Sequence, residues 1–222
     1  VEYKGDIIVV DCGMQFSNKD TPGVDYILPN IAYLEERKDK IRAVVITHGH
    51  LDHIGGIPYL ISRLGNPPIW CREFGALLIQ KRQLEHPHLP PLNLKIVGAD
   101  DGVLPISANL KVRFFGLTHS IPDSAGVIIE TAEGDLVFTG DVRVENKNGA
   151  PAEKELLQYK IFENRNILFL AMDSTGIDFP GWCLSESVVI ETVDKIVAGA
   201  PGRVLIATFS SQVERIIGFI EI

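Results

Sequence analysis

The chain has 222 residues, of which 45% are hydrophobic, and a formal net charge of −8 at pH 7. This composition suits a globular protein with a substantial core, and no run approaches the roughly 18 apolar residues of a membrane span. The three widely spaced cysteines do not form the pattern of a disulfide framework, so we expect a cytoplasmic protein without membrane contact.

Short apolar runs alternate with amphipathic stretches along the chain, which is typical of an α/β protein. In chain order, the predicted strands are residues 7–10, 43–46, 68–71, 95–97, 111–116, 127–131, 136–139, 167–172 and 203–208. The predicted helices are residues 26–36, 56–64, 72–85, 153–164, 185–198 and 212–219. The strands at 127–131 and 136–139 should form a hairpin through a turn at residues 132–135.

A dense group of metal-ligand residues follows the second predicted strand. Residues 47–53 read THGHLDH, so three of the six histidines and one aspartate lie in one short loop. Such loops carry the chemistry of many α/β proteins, and imidazole and carboxylate are good zinc ligands. The loop can turn His48 and His50 toward one ion and Asp52 and His53 toward another, which predicts a two-metal hydrolytic site. The alternative is a set of surface histidines in a glycine-rich turn.

The pattern His48-x-His50-x-Asp52-His53 is similar to the signature of the metallo-β-lactamase superfamily. This resemblance implies a four-layer αβ/βα sandwich with two metal ions at the rim between its sheets. It also implies that further site residues follow on later loops of the chain.

Three residues outside the loop match those later positions. His119 and Asp141 each follow a predicted strand, where the family has its third histidine and its bridging aspartate. Asp11 follows the first predicted strand and matches a carboxylate that orients the ligand loop. An aspartate that only caps the end of a strand is the alternative for each carboxylate.

The resemblance implies two divalent ions, with zinc preferred and manganese or magnesium as alternatives. The ligands divide between the ions as His48, His50, His119 and Asp141 for the first, and Asp52, His53 and Asp141 for the second. The second ion would lack one protein ligand. Asp52 and Asp141 would also take part in catalysis, because paired ions activate a water for attack. His86 and His88 lie in a proline-rich stretch and are not predicted as ligands.

Several longer segments are similar to the ribonuclease J group of the β-CASP nucleases. They are THGHLDHIGGIPYL at residues 47–60, THSIPDS at 118–124, DST at 173–175 and ATFSS at 207–211. In the β-CASP family, an acidic residue before Ser-Thr marks the passage into the β-CASP insertion, and Asp173 fits this mark. Asp173 is therefore a predicted catalytic residue that would orient a histidine. Ser210 and Ser211 could contact an RNA phosphate, with ordinary helix capping as the alternative.

The domain organisation expected from this resemblance is incomplete. Residues 1–200 would form a metallo-β-lactamase-like domain without its final strand and helix, and residues 201–222 would begin a β-CASP domain. Complete β-CASP nucleases have further histidine motifs, and no histidine follows His119 here. We therefore expect a fragment of a longer protein, with a natural single-domain protein as the alternative.

The expected function is that of a metal-dependent hydrolase of ribonuclease J type, which cleaves RNA as an exonuclease or an endonuclease. The parent protein could be a homo-oligomer. The net charge of −8 argues against RNA, because nucleic-acid binders are usually basic. Two divalent ions would, however, return about four positive charges to the site. The alternatives are a small-molecule metallohydrolase of lactonase, thioesterase or β-lactamase type, and an inactive metal-binding scaffold.

Overall fold

Two five-stranded sheets face each other in the computed structural model, which describes all 222 residues. The strands are Glu2–Tyr3 (β1), Asp6–Val10 (β2), Gln15–Phe16 (β3), Tyr26–Ile27 (β4), Ile41–Val45 (β5), Ile69–Cys71 (β6), Leu94–Ile96 (β7), Leu104–Pro105 (β8), Lys111–Gly116 (β9), Ala125–Glu130 (β10), Asp135–Phe138 (β11), Asn146–Lys147 (β12), Ala150–Pro151 (β13) and Ile167–Ala171 (β14).

Five α-helices lie between these strands, and two more follow β14. The α-helices are Ala32–Glu35 (α1), Leu51–Ile54 (α2), Ile57–Leu60 (α3), Glu73–Leu84 (α4), Glu153–Tyr159 (α5), Glu186–Gly199 (α6) and Val213–Ile220 (α7). Two 3₁₀ turns lie at Lys38–Lys40 and Lys160–Phe162. None of these helices combines the length and apolar character that a membrane crossing requires.

The two sheets differ in strand direction. In the first sheet, of order β1-β2-β5-β6-β7, every pair except β1 with β2 is parallel. In the second sheet, of order β14-β11-β10-β9-β8, every pair except β11 with β14 is antiparallel. The predicted hairpin is confirmed as β10 and β11. Its turn lies at residues 131–134, one position earlier than predicted, because β10 ends at Glu130 and β11 begins at Asp135.

The side chains of β5 show how the layers are built, since successive residues of a strand point to opposite faces. Ala43 and Val45 pack in the core between the two sheets. Val44 packs in a second core, against residues of α2, α3 and α4. On the outer face of the second sheet, Ile128 and Val137 pack against aromatic residues at the end of α5 and in the turn after it. The order helix, sheet, sheet, helix confirms the predicted four-layer sandwich.

Two of the predicted elements are wrong. The predicted strand at residues 203–208 pairs with no other strand, and Leu205 is 90% exposed. Its apolar residues therefore lack the cross-strand packing from which strand preference arises. The predicted helix at residues 26–36 is replaced by β4 and the single turn of α1. Pro29 accounts for the interruption, because it lacks an N–H group and restricts the residue before it.

β14 forms one edge of the second sheet and is poorly covered. It pairs only with β11, and Leu168, Phe169 and Leu170 are 57%, 48% and 55% exposed. Because adjacent strand residues point to opposite faces, both faces of this edge are open to solvent.

Candidate metal centre

The predicted metal ligands meet at one edge of the sandwich. β2 and β5 run parallel in the first sheet, and β9, β11 and β14 share one direction in the second sheet. Residues 47–53 follow β5, His119 follows β9 and Asp141 follows β11. A hydrogen bond of 3.0 Å, donated by Ala125 N to Thr47 O, ties the two sheets together here. The fold thus brings three separate segments of the chain to one place.

The first ligand group consists of His48, His50, His119 and Asp141. Its ring nitrogens converge, with His48 Nε2 3.0 Å and His119 Nε2 3.2 Å from His50 Nδ1. The Oδ2 atom of Asp141 lies 3.6 Å from His119 Nε2 and 4.0 Å from His48 Nε2. One donor atom from each residue lies within 4.8 Å of the others, a spacing that suits the ligands of one cation.

The second ligand group consists of Asp52, His53 and Asp141. His53 Nε2 lies 3.3 Å from Asp141 Oδ1 and 3.6 Å from Asp52 Oδ2. The two oxygens of Asp141 therefore face different groups, Oδ1 toward the second and Oδ2 toward the first. A carboxylate in this arrangement can bridge two cations.

Burial and neighbouring charges set the protonation of these groups. Burial lowers the pKa of His48 to about 2, helped by the neighbouring histidines, and it also lowers the pKa values of His50 and His119. Burial disfavours the charged form of His53 as well, but hydrogen bonds to two carboxylates outweigh it and raise the pKa of His53 to about 10. The hydrogen bond from His53 lowers the pKa of Asp141 to about 2.

This donor set fits a divalent cation. Three neutral imidazoles with converging nitrogens are good ligands for zinc and similar ions, and the ionised Asp141 adds the negative charge that such ions require. A cation at His53 Nε2 would take the place of the proton that the high pKa describes.

Asp11 lies behind the second group. Its Oδ2 atom is 2.7 Å from His53 Nδ1, so the opposite ring nitrogen points into the ligand group. Its Oδ1 atom accepts a hydrogen bond of 2.8 Å from Thr47 N, and the Thr47 hydroxyl donates to Oδ2 at 2.9 Å. Asp11 has a φ of 61°, a left-handed conformation that aspartate tolerates better than most residues.

Glycine allows close approach of the loops at two points. A Cβ atom on Gly13 would lie 1.6 Å from Asp52 O. Gly140 has a φ of 58°, and a Cβ atom there would lie 2.6 Å from Thr47 Oγ1. The loop that carries Asp141 therefore reaches the first sheet only with glycine at position 140.

The other predicted site residues surround the ligand groups without joining them. Asp173 accepts hydrogen bonds from Val142 N at 3.2 Å and from Thr175 N at 2.7 Å, and so contacts the backbone just after Asp141. Ser211 Oγ lies 3.2 Å from His50 Nε2. Ser210 and Ser211 both line a cavity of about 710 Å³ that opens beside His50. His86 and His88 belong to neither ligand group.

Four charged residues near the site were not predicted from the sequence. Arg143 pairs with Glu145 at 3.1 Å and with Glu186. Arg215 also pairs with Glu186, and its hydrogen bonds hold the pKa of that carboxyl below its usual range. This network ties the loop after Asp141 to α6 and α7. Their pairing could not be predicted from the sequence, because only the fold brings these residues together.

A comparison with protein families identifies the fold. The sequence model of the metallo-β-lactamase superfamily matches residues 1–179. The chain belongs to the metallo-β-lactamase superfamily. Membership agrees with the four-layer sandwich that the sequence resemblance implied.

Within this superfamily, the chain is similar over its full length to proteins named ribonuclease J. Ribonuclease J of Mycoplasma pneumoniae is 38% identical over 222 residues, which cover 100% of this chain and 38% of that protein. Ribonuclease J of Thermus thermophilus is 35% identical over 219 residues, which cover 96% of this chain and 38% of that protein. The chain thus spans 38% of the length of these curated relatives.

Solved structures of low sequence identity share the metallo-β-lactamase fold. A protein of unknown function from Enterococcus faecalis aligns with a TM-score of 0.67 at 18% identity, over 99% of this chain and 58% of that chain. The Rm3 metallo-β-lactamase aligns with a TM-score of 0.50 at 18% identity, over 78% of this chain and 69% of that chain. At these identities the likeness concerns the fold alone.

Proposed function

We propose that this chain is the metal-binding part of a ribonuclease J-type enzyme that hydrolyses RNA phosphodiesters. The observation that carries the proposal is the 38% identity over all 222 residues to a protein named ribonuclease J. The two ligand groups that share Asp141 supply chemistry suited to this reaction. Two-metal sites are common in enzymes that cleave phosphodiesters.

The proposed roles follow from the contacts of each side chain. The ligands are His48, His50, His119 and Asp141 for the first ion, and Asp52, His53 and Asp141 for the second ion. When bound, the ions would activate a water and stabilise the charge that develops on the phosphate. Asp11 holds the ring of His53 by its hydrogen bond to Nδ1. Zinc is the proposed metal because imidazole predominates among the donors, with manganese or magnesium as alternatives.

Residues around the ligand groups would position the substrate and a further histidine. Asp173 contacts the backbone after Asp141, and we assign to it the orientation of a histidine elsewhere in the parent protein. Ser210 and Ser211 line the cavity beside His50, from which their hydroxyl and backbone N–H groups could bind an RNA phosphate.

The same proposal includes the domain organisation. Residues 1–200 would form an incomplete metallo-β-lactamase-like domain, and residues 201–222 would begin the β-CASP domain. The open edge at β14 and the greater length of the ribonuclease J relatives support this division. A homo-oligomeric parent protein and a cytoplasmic location complete the proposal; the three cysteines form no disulfide, which suits a reducing compartment.

A substrate comparison with the full-length parent protein tests the proposal. The protein is incubated with end-labelled single-stranded RNA and, separately, with a lactone and a thioester. We expect RNA cleavage that is lost in His48→Ala and after metal chelation, and that is retained in the control His88→Ala, since His88 is exposed and outside both ligand groups. Strong ester turnover without RNA cleavage would instead identify a small-molecule hydrolase.

A further inference from the structure

Glu155 on α5 is a carboxyl group with no exposed surface. Its exposed fraction is 0%, whereas the next two residues, Leu156 and Leu157, are 55% and 56% exposed. The helix therefore turns an acid inward and two leucines outward, the reverse of an ordinary amphipathic helix. Burying a carboxyl group is costly unless hydrogen bonds compensate for the lost water. The contacts of Glu155 should therefore show what its burial achieves.

Those contacts reach the two loops that carry ligands from the second sheet. The Thr118 hydroxyl donates a hydrogen bond of 2.6 Å to Glu155 Oε1. Glu145 N donates to the same oxygen at 3.4 Å, and the Tyr159 hydroxyl donates to Oε2 at 3.4 Å. Thr118 directly precedes the ligand His119, and Glu145 follows Asp141 on the next loop. Thr118, which makes the shortest contact with this buried carboxyl group, is thus the residue directly before a metal ligand.

His119 differs from the other ligand histidines in how its ring is held. In the other three, the second ring nitrogen contacts a side-chain oxygen: His48 Nδ1 with Thr47 Oγ1 at 3.1 Å, His50 Nε2 with Ser211 Oγ at 3.2 Å, and His53 Nδ1 with Asp11 Oδ2 at 2.7 Å. The only polar contacts of the His119 ring are on Nε2, which faces the ligand group. Its position must therefore come from the backbone at Thr118, which is held on both sides. The Thr118 carbonyl accepts from Arg143 N at 2.7 Å, and its hydroxyl donates to Glu155.

A similar contact between a carboxyl group and a threonine hydroxyl occurs next to a ligand histidine of the first sheet. There, Asp11 accepts the hydroxyl of Thr47, which directly precedes the ligand His48. In both sheets a carboxyl group from a different element accepts the hydroxyl of a threonine that stands directly before a ligand histidine. The repetition indicates that the contact serves the metal ligands and not the packing of α5 alone.

We propose that Glu155 is a positioning residue of the metal centre, which holds His119 in place through the hydroxyl of Thr118. The inference rests on the proposed function, because it requires that the first ligand group binds an ion. Loss of an outer partner of a metal ligand typically weakens metal affinity about 10–100-fold. Glu155 and Thr118 should therefore set the affinity of the first group without touching the ion.

Metal affinity in the intact protein provides the test. Zn²⁺ binding is measured by competition with a chromophoric chelator, and the visible absorption of the Co²⁺-loaded protein reports the ligand geometry. Glu155→Ala and Thr118→Val should each weaken binding of one ion by about 10–100-fold and change the Co²⁺ spectrum. Glu155→Gln should restore most of the affinity, since its amide oxygen can still accept from Thr118. Glu153→Gln, an exposed substitution on the same helix, is the matched control.

The double variant separates a positioning role from a purely structural one. If Glu155 acts through Thr118, then Glu155→Ala with Thr118→Val should lose no more affinity than Glu155→Ala alone. Should Glu155→Ala fail to fold, Thr118→Val with its single lost hydroxyl decides the question. Wild-type affinity and an unchanged Co²⁺ spectrum in the variants, with only a lower melting temperature, would overturn the inference. A wild-type protein that binds no ion would overturn the proposed function, and this inference with it.

Discussion

Replacing Asp141 with alanine should damage both ligand groups at once. Its Oδ1 atom lies 3.3 Å from His53 Nε2 in the second group, and its Oδ2 atom lies 3.6 Å from His119 Nε2 in the first. No other side chain belongs to both groups. Asp141→Ala should therefore lower the metal content from two ions to less than one and abolish RNA hydrolysis by the parent protein.

The loss of metal binding in Asp141→Ala can be measured as a loss of the stability that bound metal adds to the folded protein. With free metal about 100-fold above the dissociation constant, each bound ion stabilises the folded state by about 2.7 kcal/mol. For a chain of this size, 1 kcal/mol shifts the melting temperature by about 2–4 °C. Metal should thus raise the wild-type melting temperature by about 5–11 °C for each ion bound, and that of Asp141→Ala by less than about 5 °C. Calorimetry with and without Zn²⁺, together with elemental analysis, measures both quantities.

Asp194→Ala is the matched control for this experiment. Asp194 lies on α6, is exposed and makes no ion pair or side-chain hydrogen bond. Surface substitutions of this kind usually change stability by less than about 0.5 kcal/mol. If Asp141→Ala kept two ions and the full metal-dependent rise, the bridging role of Asp141 would be wrong, and so would the two-metal mechanism.

Two further predictions concern the support of the site and the thiols. Asp11→Asn removes the negative charge beside His53 Nδ1 but keeps a side chain of nearly the same shape as aspartate. Competition with a chelator should therefore show metal affinity weakened by about 10–100-fold. Unchanged affinity would refute an orienting role for Asp11. Burial raises the pKa values of Cys12 and Cys71 to about 12, whereas Cys183 is exposed. A thiol reagent at about pH 8 should therefore label one cysteine, Cys183, in the native protein and all three cysteines after denaturation. Labelling of Cys71 in the native protein would contradict this prediction.

The ligand loop could be predicted from sequence because its information is local. His48, His50, Asp52 and His53 lie within six residues, directly after an apolar run that forms β5. Their order indicates a metal site without knowledge of the rest of the chain. Asp141 could not be assigned from the local sequence alone, since its assignment depended on the resemblance to a family and on its position after a predicted strand.

The supporting residues could not be predicted because their roles arise from tertiary packing. Glu155 stands between a lysine and a leucine in a short helix, where an exposed glutamate is the ordinary expectation. Only the folded chain shows that α5 places it beneath Thr118. Arg143 and Glu186 belong to distant segments in the same way, and their pairing depends on where α6 lies.

The wrong strand at residues 203–208 has a related cause. Its composition is that of a buried strand, but strand formation requires a neighbouring strand with free backbone groups. Residues 203–208 pair neither with the open edge at β14 nor with any other strand. Local pattern alone therefore identifies a segment that can form a strand, and the topology decides whether it does.

The charge of the chain makes metal binding a condition for RNA binding in the proposed function. Asp and Glu number 29 against 21 Lys and Arg, and the nearby arginines Arg143 and Arg215 are already paired with carboxylates. Without metal, the low pKa of Asp141 keeps its carboxylate charged at the point where a phosphate would have to enter. In the proposed function, two divalent ions would add positive charge at this point. Phosphate recognition by these 222 residues would therefore centre on the two ligand groups that share Asp141.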